Sequence, residues 1–417
     1  MSKFIINGGK TLKGEISVNG AKNAALKVVA ASILSKEEIT ITNCPNIEEI
    51  NRLLEICESI GSTVQREKGV VKIKTEKVAS SELDPELVKK IRTAVLLIGP
   101  IMIRNGEVKL PHPGGCAIGQ RPIDIFVEGF EKLGATVTED PTGYTFKADK
   151  LIGNTFIFPK ISVTATEALM VSATLAEGTT VLKNAACEPE IPALADYLNK
   201  CGAKIKGAGT HTIEIEGVES LTADTYDVMP DRVEAGSFAI LGALVGDPIK
   251  VTNCEPKHLE ALFVMFDKMG VDYKVGDDWI EVRKSDKVKA VNVVTHEYPG
   301  FTTDLQQPFT VLLTQSNGMS MVHETIFEAR LFYTDKLKQM GANIVMCDPH
   351  RVIVNGPTNL YGRKLESPDL RAGFALILAG LVAQGETEVD NIYQIDRGYE
   401  KIEERLTALG ADIKRVD

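Results

Sequence analysis

One phrase, apolar-Gly-small-x-apolar, recurs along this chain and constrains its fold more than any other feature. It reads Ile60-Gly61-Ser62-Thr63-Val64, Leu133-Gly134-Ala135-Thr136-Val137, Cys201-Gly202-Ala203-Lys204-Ile205, Met269-Gly270-Val271-Asp272-Tyr273, Met340-Gly341-Ala342-Asn343-Ile344 and Leu409-Gly410-Ala411-Asp412-Ile413. The glycines stand 73, 68, 68, 71 and 69 residues apart, a regularity that marks an internal repeat. Each ends a segment of helical period, such as Ile47 to Cys57 or Ile402 to Leu409, and precedes a short alternating strand. That is the pattern of a helix stopped by a glycine just past its last turn. Earlier in each unit a second, more apolar helix is expected: 24–34, 94–103, 167–175, 236–245, 308–314 and 372–382. Two helices and several strands in ~70 residues exceed a solenoid repeat and suit a small α/β module. Six such modules, three to a lobe, predict two similar lobes with a cleft between them, a favoured place for a ligand.

Composition narrows the partners. Of 417 residues 44% are apolar, enough for a core in each lobe. The charge is 47 − 57 = −10, with no long basic run, which argues against nucleic acid or an anionic membrane as the default partner. Seven cysteines without a CxxC pair or metal-ligand spacing suit a reducing cytosol and predict no metal site. The longest apolar runs, Ala94 to Ile103 and Phe374 to Ala383, fall short of the ~18 to 20 residues of a membrane span. The amino terminus meets Gly8-Gly9 before any signal-peptide core develops, so a cytoplasmic location is expected.

Places where the copies differ call for another explanation than packing. A junction cysteine recurs in Asn43-Cys44-Pro45, Cys187-Glu188-Pro189 and Asn253-Cys254-Glu255-Pro256, and reads as a small buried side chain shared by copies. Copy two instead carries a long loop, Pro111-His112-Pro113-Gly114-Gly115-Cys116-Ala117-Ile118-Gly119-Gln120-Arg121. A cysteine in a glycine-rich loop near a cation has the setting in which thiols become reactive, against the plainer reading of a structural turn. Polar or charged residues also open every apolar helix: Lys22-Asn23, Arg92-Thr93, Ser162 to Thr166, Asp231-Arg232, Asp304, and Asp369 with Arg371. Asp and Asn there are ordinary N-caps. Lysine and arginine oppose the positive helix end, so Lys22, Arg92, Arg232 and Arg371 together suggest an anionic ligand.

Asn19 to Leu26, Pro113 to Pro122, Pro230 to Gly236, Pro368-Asp369-Leu370-Arg371 and Ile395-Asp396-Arg397-Gly398-Tyr399-Glu400 together resemble the UDP-N-acetylglucosamine 1-carboxyvinyltransferase family, within the EPSP synthase-like superfamily. The resemblance runs the length of the chain. It implies an α/β fold, a two-lobed inside-out α/β barrel of six βαβαββ units. One lobe would be 20–229, carrying the Cys116 loop, and the other 1–19 plus 230–417, with the active site in the cleft. The implied reaction moves the enolpyruvyl group of phosphoenolpyruvate onto the 3′-hydroxyl of UDP-N-acetylglucosamine and releases phosphate through a tetrahedral ketal, opening peptidoglycan synthesis without a cofactor. Such chemistry needs an acid, a base and cations. By the family pattern Cys116 is the acid, able to carry a phosphoenolpyruvate-derived adduct and to be alkylated by fosfomycin, and Asp304 is the base. Lys22, Arg121 and Arg397 form the phosphate clamp, and Arg330 and Arg371 take the carboxylate, with Asn23 also at the phosphoenolpyruvate site. For the sugar nucleotide the family pattern implies Asn23, Arg92, Arg121, Pro122, Ile123, Asp124, Ile125, Lys160, Ser162, Val163, Thr164, Asp304 and Ile326.

Two departures stand out. Pro111-His112 adds residues before the Gly-Gly-Cys turn, where His112 reads as a loop residue rather than an acid, and Thr164 replaces a common glycine. The sister enzyme acting on shikimate 3-phosphate is the rival reading, but its first motif carries Lys-Ser and it lacks the Gly-Gly-Cys loop. A non-enzymatic repeat module is a further alternative, disfavoured by the single non-repeating loop with Cys116 and Arg121.

Overall fold

Helices with no polar face decide the layout. In the helix Arg232–Val245 all 14 residues are buried, and in Gln306–Thr314 all nine. Leu370–Val382 is buried except at its two ends. A helix apolar all round belongs in a core rather than on a surface, and these three pack on one another. The computed structural model describes residues 2–112, 119, 122–285 and 287–417. Residues 2–19 and 230–417 form one compact unit around these helices, and 20–112 with 122–229 form another. In the second unit the same place is taken by Lys22–Ala31, Val163–Ala173 and the stretch from Arg92 to Asn105. That last stretch was expected as one helix. It is a 3₁₀ segment, Arg92–Leu97, followed by an α-helix, Ile98–Asn105, because Pro100 has no N–H for the carbonyl four residues back. Each unit has its own apolar core.

Sheets flank these helices. Five are four-stranded and one is three-stranded among the described residues, three in each unit. The five four-stranded sheets share one topology, with one parallel pair and two antiparallel pairs each. In one, Thr155–Ile157 runs parallel to Thr179–Lys183, which pairs antiparallel with Thr212–Glu216 and so places Leu182 opposite Ile213. In another, Leu12–Ser17 is parallel to Gly246–Thr252, and Trp279–Arg283 is antiparallel to it. Each repeated glycine adopts a positive φ, from 75° at Gly270 to 106° at Gly61. The following N–H closes back on the helix, as in Ala135 to Phe130 O at 2.9 Å and Val271 to Phe266 O at 3.0 Å. Only a residue without Cβ takes that conformation at no steric penalty, so the glycine ends the helix and turns the chain into the next strand.

The junction beyond the central strand departs from the sequence reading. Its common element is an asparagine in the left-handed region: Asn43, Asn184, Asn253 and Asn391, with φ between 51° and 57°. Each side-chain amide donates to a carbonyl just past the parallel neighbour, Val228, Phe158, Val18 and Ser367 respectively, at 2.7 to 3.0 Å. Asparagine tolerates this backbone and ties the parallel pair together. Cys44 and Cys254 directly follow it and are buried, whereas Cys187 lies three residues after Asn184, is partly exposed, and has Sγ 3.5 Å from His211 Nδ1. Cys187 is therefore not the counterpart of the other two.

Candidate active site

The unit holding residues 20–229 contributes helix starts. Lys22 is the first residue of its helix, and Ala21 before it offers no side-chain cap. Its ammonium donates to Glu49 Oε2 at 3.0 Å, both side chains being nearly buried. Asn23 is half-buried beside it, as are Arg92 at the head of the 3₁₀ segment and Val163 and Thr164 in the first turn of their helix. Ser162 caps that helix, Oγ accepting from Ala165 N at 3.4 Å, and Lys160 is exposed. Pro122 is exposed, Ile123 buried, Asp124 opens the helix Asp124–Lys132, and Ile125 is half-buried. Cys116 and Arg121, with 113–118 and Gln120, lie outside the described residues. His112 is at the end of a strand, its Nε2 3.1 Å from Asp140 O and its ring edge-on to Tyr144.

The other unit gathers charge around one carboxylate. Asp304 lies in the 3₁₀ turn Thr303–Leu305 that leads into the buried helix Gln306–Thr314. Arg330 Nη2 donates to its Oδ1 at 2.7 Å, and Arg371 Nε donates to its Oδ2 at 3.1 Å. The two guanidiniums are almost fully buried, while Asp304 keeps 26% of its side chain exposed. Arg371 stays above the ordinary guanidinium range: burial opposes its charge, but Tyr399, Asp304 and Asp231 favour it. Arg371 Nη1 also donates to the Tyr399 hydroxyl at 3.2 Å, and that hydroxyl lies 3.1 Å from Ser237 Oγ. Burial raises the Tyr399 phenol, with Arg371 pulling the other way. Asp231 caps the helix of Arg232 through Val233 N at 2.8 Å and Glu234 N at 3.0 Å, and Arg232 lies over the Tyr298 ring. Arg397 is half-buried and donates from Nη1 to Gln394 Oε1 at 3.0 Å.

The structure thus brings Asp304, Arg330 and Arg371 together. It also amends the expectation that cations at helix starts need an external anion, since Lys22 and Arg371 already hold protein carboxylates. Sequence reasoning missed Thr303, Glu324 and Tyr399. Glu324 is fully buried, its Oε1 accepts from Ile326 N at 2.9 Å, and its Oε2 accepts from Thr303 Oγ1 at 2.8 Å. Thr303 in turn accepts from Arg330 Nη1 at 2.9 Å. A signal was present: Glu324 follows its strand where four other strands are followed by the left-handed asparagine. Among the described residues no cluster of His, Cys, Asp or Glu could hold a metal ion. No helix among them is long and apolar enough to cross a membrane. A carboxylate flanked by two buried guanidiniums can accept a proton, and the guanidiniums, one of them in the first turn of a helix, can hold anionic substrate groups.

Known proteins resemble this chain over its whole length. The family model of EPSP synthase (3-phosphoshikimate 1-carboxyvinyltransferase) matches residues 6–406. A protein of Halothermothrix orenii named UDP-N-acetylglucosamine 1-carboxyvinyltransferase is 46% identical over 416 residues, covering 100% of both chains. One of that name from Koribacter versatilis is 45% identical, covering 100% of this chain and 97% of its own. Among solved structures, the enolpyruvyl transferase NikO from Streptomyces tendae superposes with a TM-score of 0.90 at 25% identity, over 100% of this chain and 99% of its own. EPSP synthase from Acinetobacter baumannii shares the fold, with a TM-score of 0.73 at 16% identity over 100% of both chains. With the family match spanning nearly the whole sequence, the chain belongs to the EPSP synthase (3-phosphoshikimate 1-carboxyvinyltransferase) family.

Proposed function

We propose that this chain is an enolpyruvyl transferase that moves the enolpyruvyl group of phosphoenolpyruvate onto the 3′-hydroxyl of UDP-N-acetylglucosamine, releasing phosphate, in peptidoglycan synthesis in the cytoplasm. The observation that carries the reading is full-length identity of 45 to 46% to relatives bearing that activity in their names. The hydroxyl oxygen adds to C2 of phosphoenolpyruvate while C3 receives a proton. The resulting ketal loses phosphate, and a proton leaves the methyl group to restore the double bond. The addition and the elimination need only proton transfer and stabilisation of charge, with no net oxidation or reduction, so side chains suffice and no cofactor is required.

The roles fall on residues of both units. Cys116 delivers the proton to C3, and Asp304 takes the proton from the hydroxyl. Lys22, Arg121 and Arg397 hold the phosphate with Asn23, and Arg330 and Arg371 hold the carboxylate of phosphoenolpyruvate. The sugar nucleotide lies against Asn23, Arg92, Arg121 to Ile125, Lys160 to Thr164 and Ile326. Asp304 and the substrate carboxylate compete for the same guanidiniums, so binding phosphoenolpyruvate exchanges one carboxylate for another and releases Asp304 toward the hydroxyl. Incubating the protein with phosphoenolpyruvate and either UDP-N-acetylglucosamine or shikimate 3-phosphate, and following released phosphate, tests the assignment. Turnover with the sugar nucleotide is expected. Turnover with shikimate 3-phosphate alone would assign the rival substrate, and none with either would end the transferase reading.

A further inference from the structure

A buried carboxylate next to the Asp304 cluster has no part in the chemistry above. Glu324 is fully buried and directly follows the strand Gly318–His323. The main chain there is secured without its side chain. Glu324 N donates to His350 O at 2.8 Å, and Thr325 Oγ1 donates to Thr295 O at 2.5 Å, just past the neighbouring parallel strand. The carboxylate instead takes three donors: Oε1 accepts from Ile326 N at 2.9 Å and Phe327 N at 3.3 Å, and Oε2 accepts from Thr303 Oγ1 at 2.8 Å. A hydroxyl has one proton to give. Because Thr303 gives its proton to Glu324, a lone pair is left for Arg330, whose Nη1 donates to Oγ1 at 2.9 Å. The donors thus run one way, guanidinium to hydroxyl to carboxylate, and each bond polarises the next. Gln307 holds another edge of the guanidinium. With its amide turned to satisfy both neighbours, its oxygen accepts from Arg330 Nε at 2.5 Å and its nitrogen donates to Thr303 O at 3.2 Å. Arg330 is therefore held at Nη1 and Nε by uncharged groups and at Nη2 by Asp304.

We infer that Glu324 and Thr303 are positioning residues, which hold the Arg330 guanidinium in the plane that receives the phosphoenolpyruvate carboxylate. This rests on the function proposed above, which puts Arg330 on that carboxylate and Ile326 against the sugar nucleotide. A planar fork grips a carboxylate well only when its plane is aligned, and a long, flexible side chain keeps that alignment only when its other N–H groups are engaged. When the substrate replaces Asp304 at Nη2, the bonds to Thr303 and Gln307 stay in place, so the guanidinium changes anions without turning. The two oxygens of Glu324 divide the effect. Oε2 acts through Thr303 on phosphoenolpyruvate, whereas Oε1 fixes the turn that carries Ile326 and so acts on the sugar nucleotide.

Steady-state kinetics of the full chain, each substrate varied with the other saturating, reads this division. Thr303→Val nearly keeps the side-chain shape and removes the hydroxyl. It should raise KM for phosphoenolpyruvate about tenfold or more, the loss expected for a hydrogen bond to a charged group, and leave KM for UDP-N-acetylglucosamine within about threefold. Thr303→Ser restores the hydroxyl and should return KM for phosphoenolpyruvate to within about threefold of the wild type. Glu324→Gln keeps an oxygen for Ile326 N and Phe327 N but turns an NH₂ group toward Thr303, so it too should raise KM for phosphoenolpyruvate selectively. Combined with Thr303→Val it should be no worse than the worse single variant, as for two links of one relay. Should Thr303→Val fold poorly, Glu324→Gln alone makes the same comparison of KM values. A purely structural role would lower stability and the amount of active protein while leaving both KM values unmoved. Equal changes in the two KM values, no change in either, or no recovery in Thr303→Ser overturns the inference while leaving the transferase reading intact. No turnover of phosphoenolpyruvate with UDP-N-acetylglucosamine by the wild type overturns both.

Discussion

Replacing Asp304 by alanine separates the structural role of its carboxylate from its chemical one. The substitution removes two charge-assisted hydrogen bonds, at 2.7 Å from Arg330 and 3.1 Å from Arg371, and leaves two buried guanidiniums without that anion. Breaking a buried pair typically costs about 3 to 5 kcal/mol. Here the lower end applies, about 3 kcal/mol, because Asp304 is 26% exposed, Arg330 keeps Thr303 and Arg371 keeps Tyr399. The sequence contains a single tryptophan, Trp279, in the same unit as Asp304, so urea unfolding followed by its fluorescence reports the affected half of the molecule. Inorganic phosphate should stabilise Asp304→Ala more than the wild type, since its arginines no longer hold a protein carboxylate. Turnover should fall by roughly 10² to 10⁴ with substrate binding largely retained. A stability loss below about 1 kcal/mol would refute the reading of Asp304 as the anchor of both arginines. Unchanged turnover would move the base elsewhere.

Other substitutions probe other parts of the argument. Cys116→Asp should keep activity while escaping fosfomycin, because a carboxylic acid donates the same proton and resists the epoxide; a folded, inactive variant would remove the general-acid role. Glu167 binds a proton more tightly in the fold, its value rising from 4.5 to about 7 mainly through burial. Its contribution is therefore fully present below the unfolded value and is lost as pH rises from about 4.5 through about 7, a decline of roughly 3 kcal/mol. Glu167→Gln should flatten that decline in denaturation midpoints measured by circular dichroism, and an unchanged slope would place the titration elsewhere. A Cβ at Gly99 would lie 1.8 Å from Ser172 Oγ and 2.8 Å from its Cβ. Gly99→Ala should therefore destabilise by about 1 to 3 kcal/mol, and adding Ser172→Gly should recover most of it in the same urea assay; purely additive effects would contradict direct contact.

What could be read from sequence follows from how local each constraint is. A glycine that ends a helix is required by the backbone at one position, and a helix buried all round has no polar position to spare. Both therefore leave marks at a fixed place in the chain, as at Gly270 and along Arg232–Val245. The loop holding Cys116 was legible for the same reason, as a break in a repeating pattern. Partnerships across the chain leave no such mark. Nothing near Lys22 names Glu49, 27 residues on, and nothing near Asp304 names Arg371, 67 residues on. The junction shows how a conspicuous residue can mislead. Cysteine drew attention at 44, 187 and 254, yet the backbone requirement is met by asparagine at 43, 184, 253 and 391, one residue before two of those cysteines and three before the other. Once the asparagine is taken as the repeating part, its absence becomes informative. One strand that lacks it continues into His112 and the Cys116 loop, and another into Glu324, which holds Ile326 and, through Thr303, Arg330. In the second of these the tie to the parallel strand Val293–Val294 is made by Thr325 instead, its Oγ1 donating to Thr295 O at 2.5 Å, which leaves position 324 free to carry a carboxylate. A substitution of Asn43 should therefore loosen structure alone, whereas one at Glu324 should disturb the site as well.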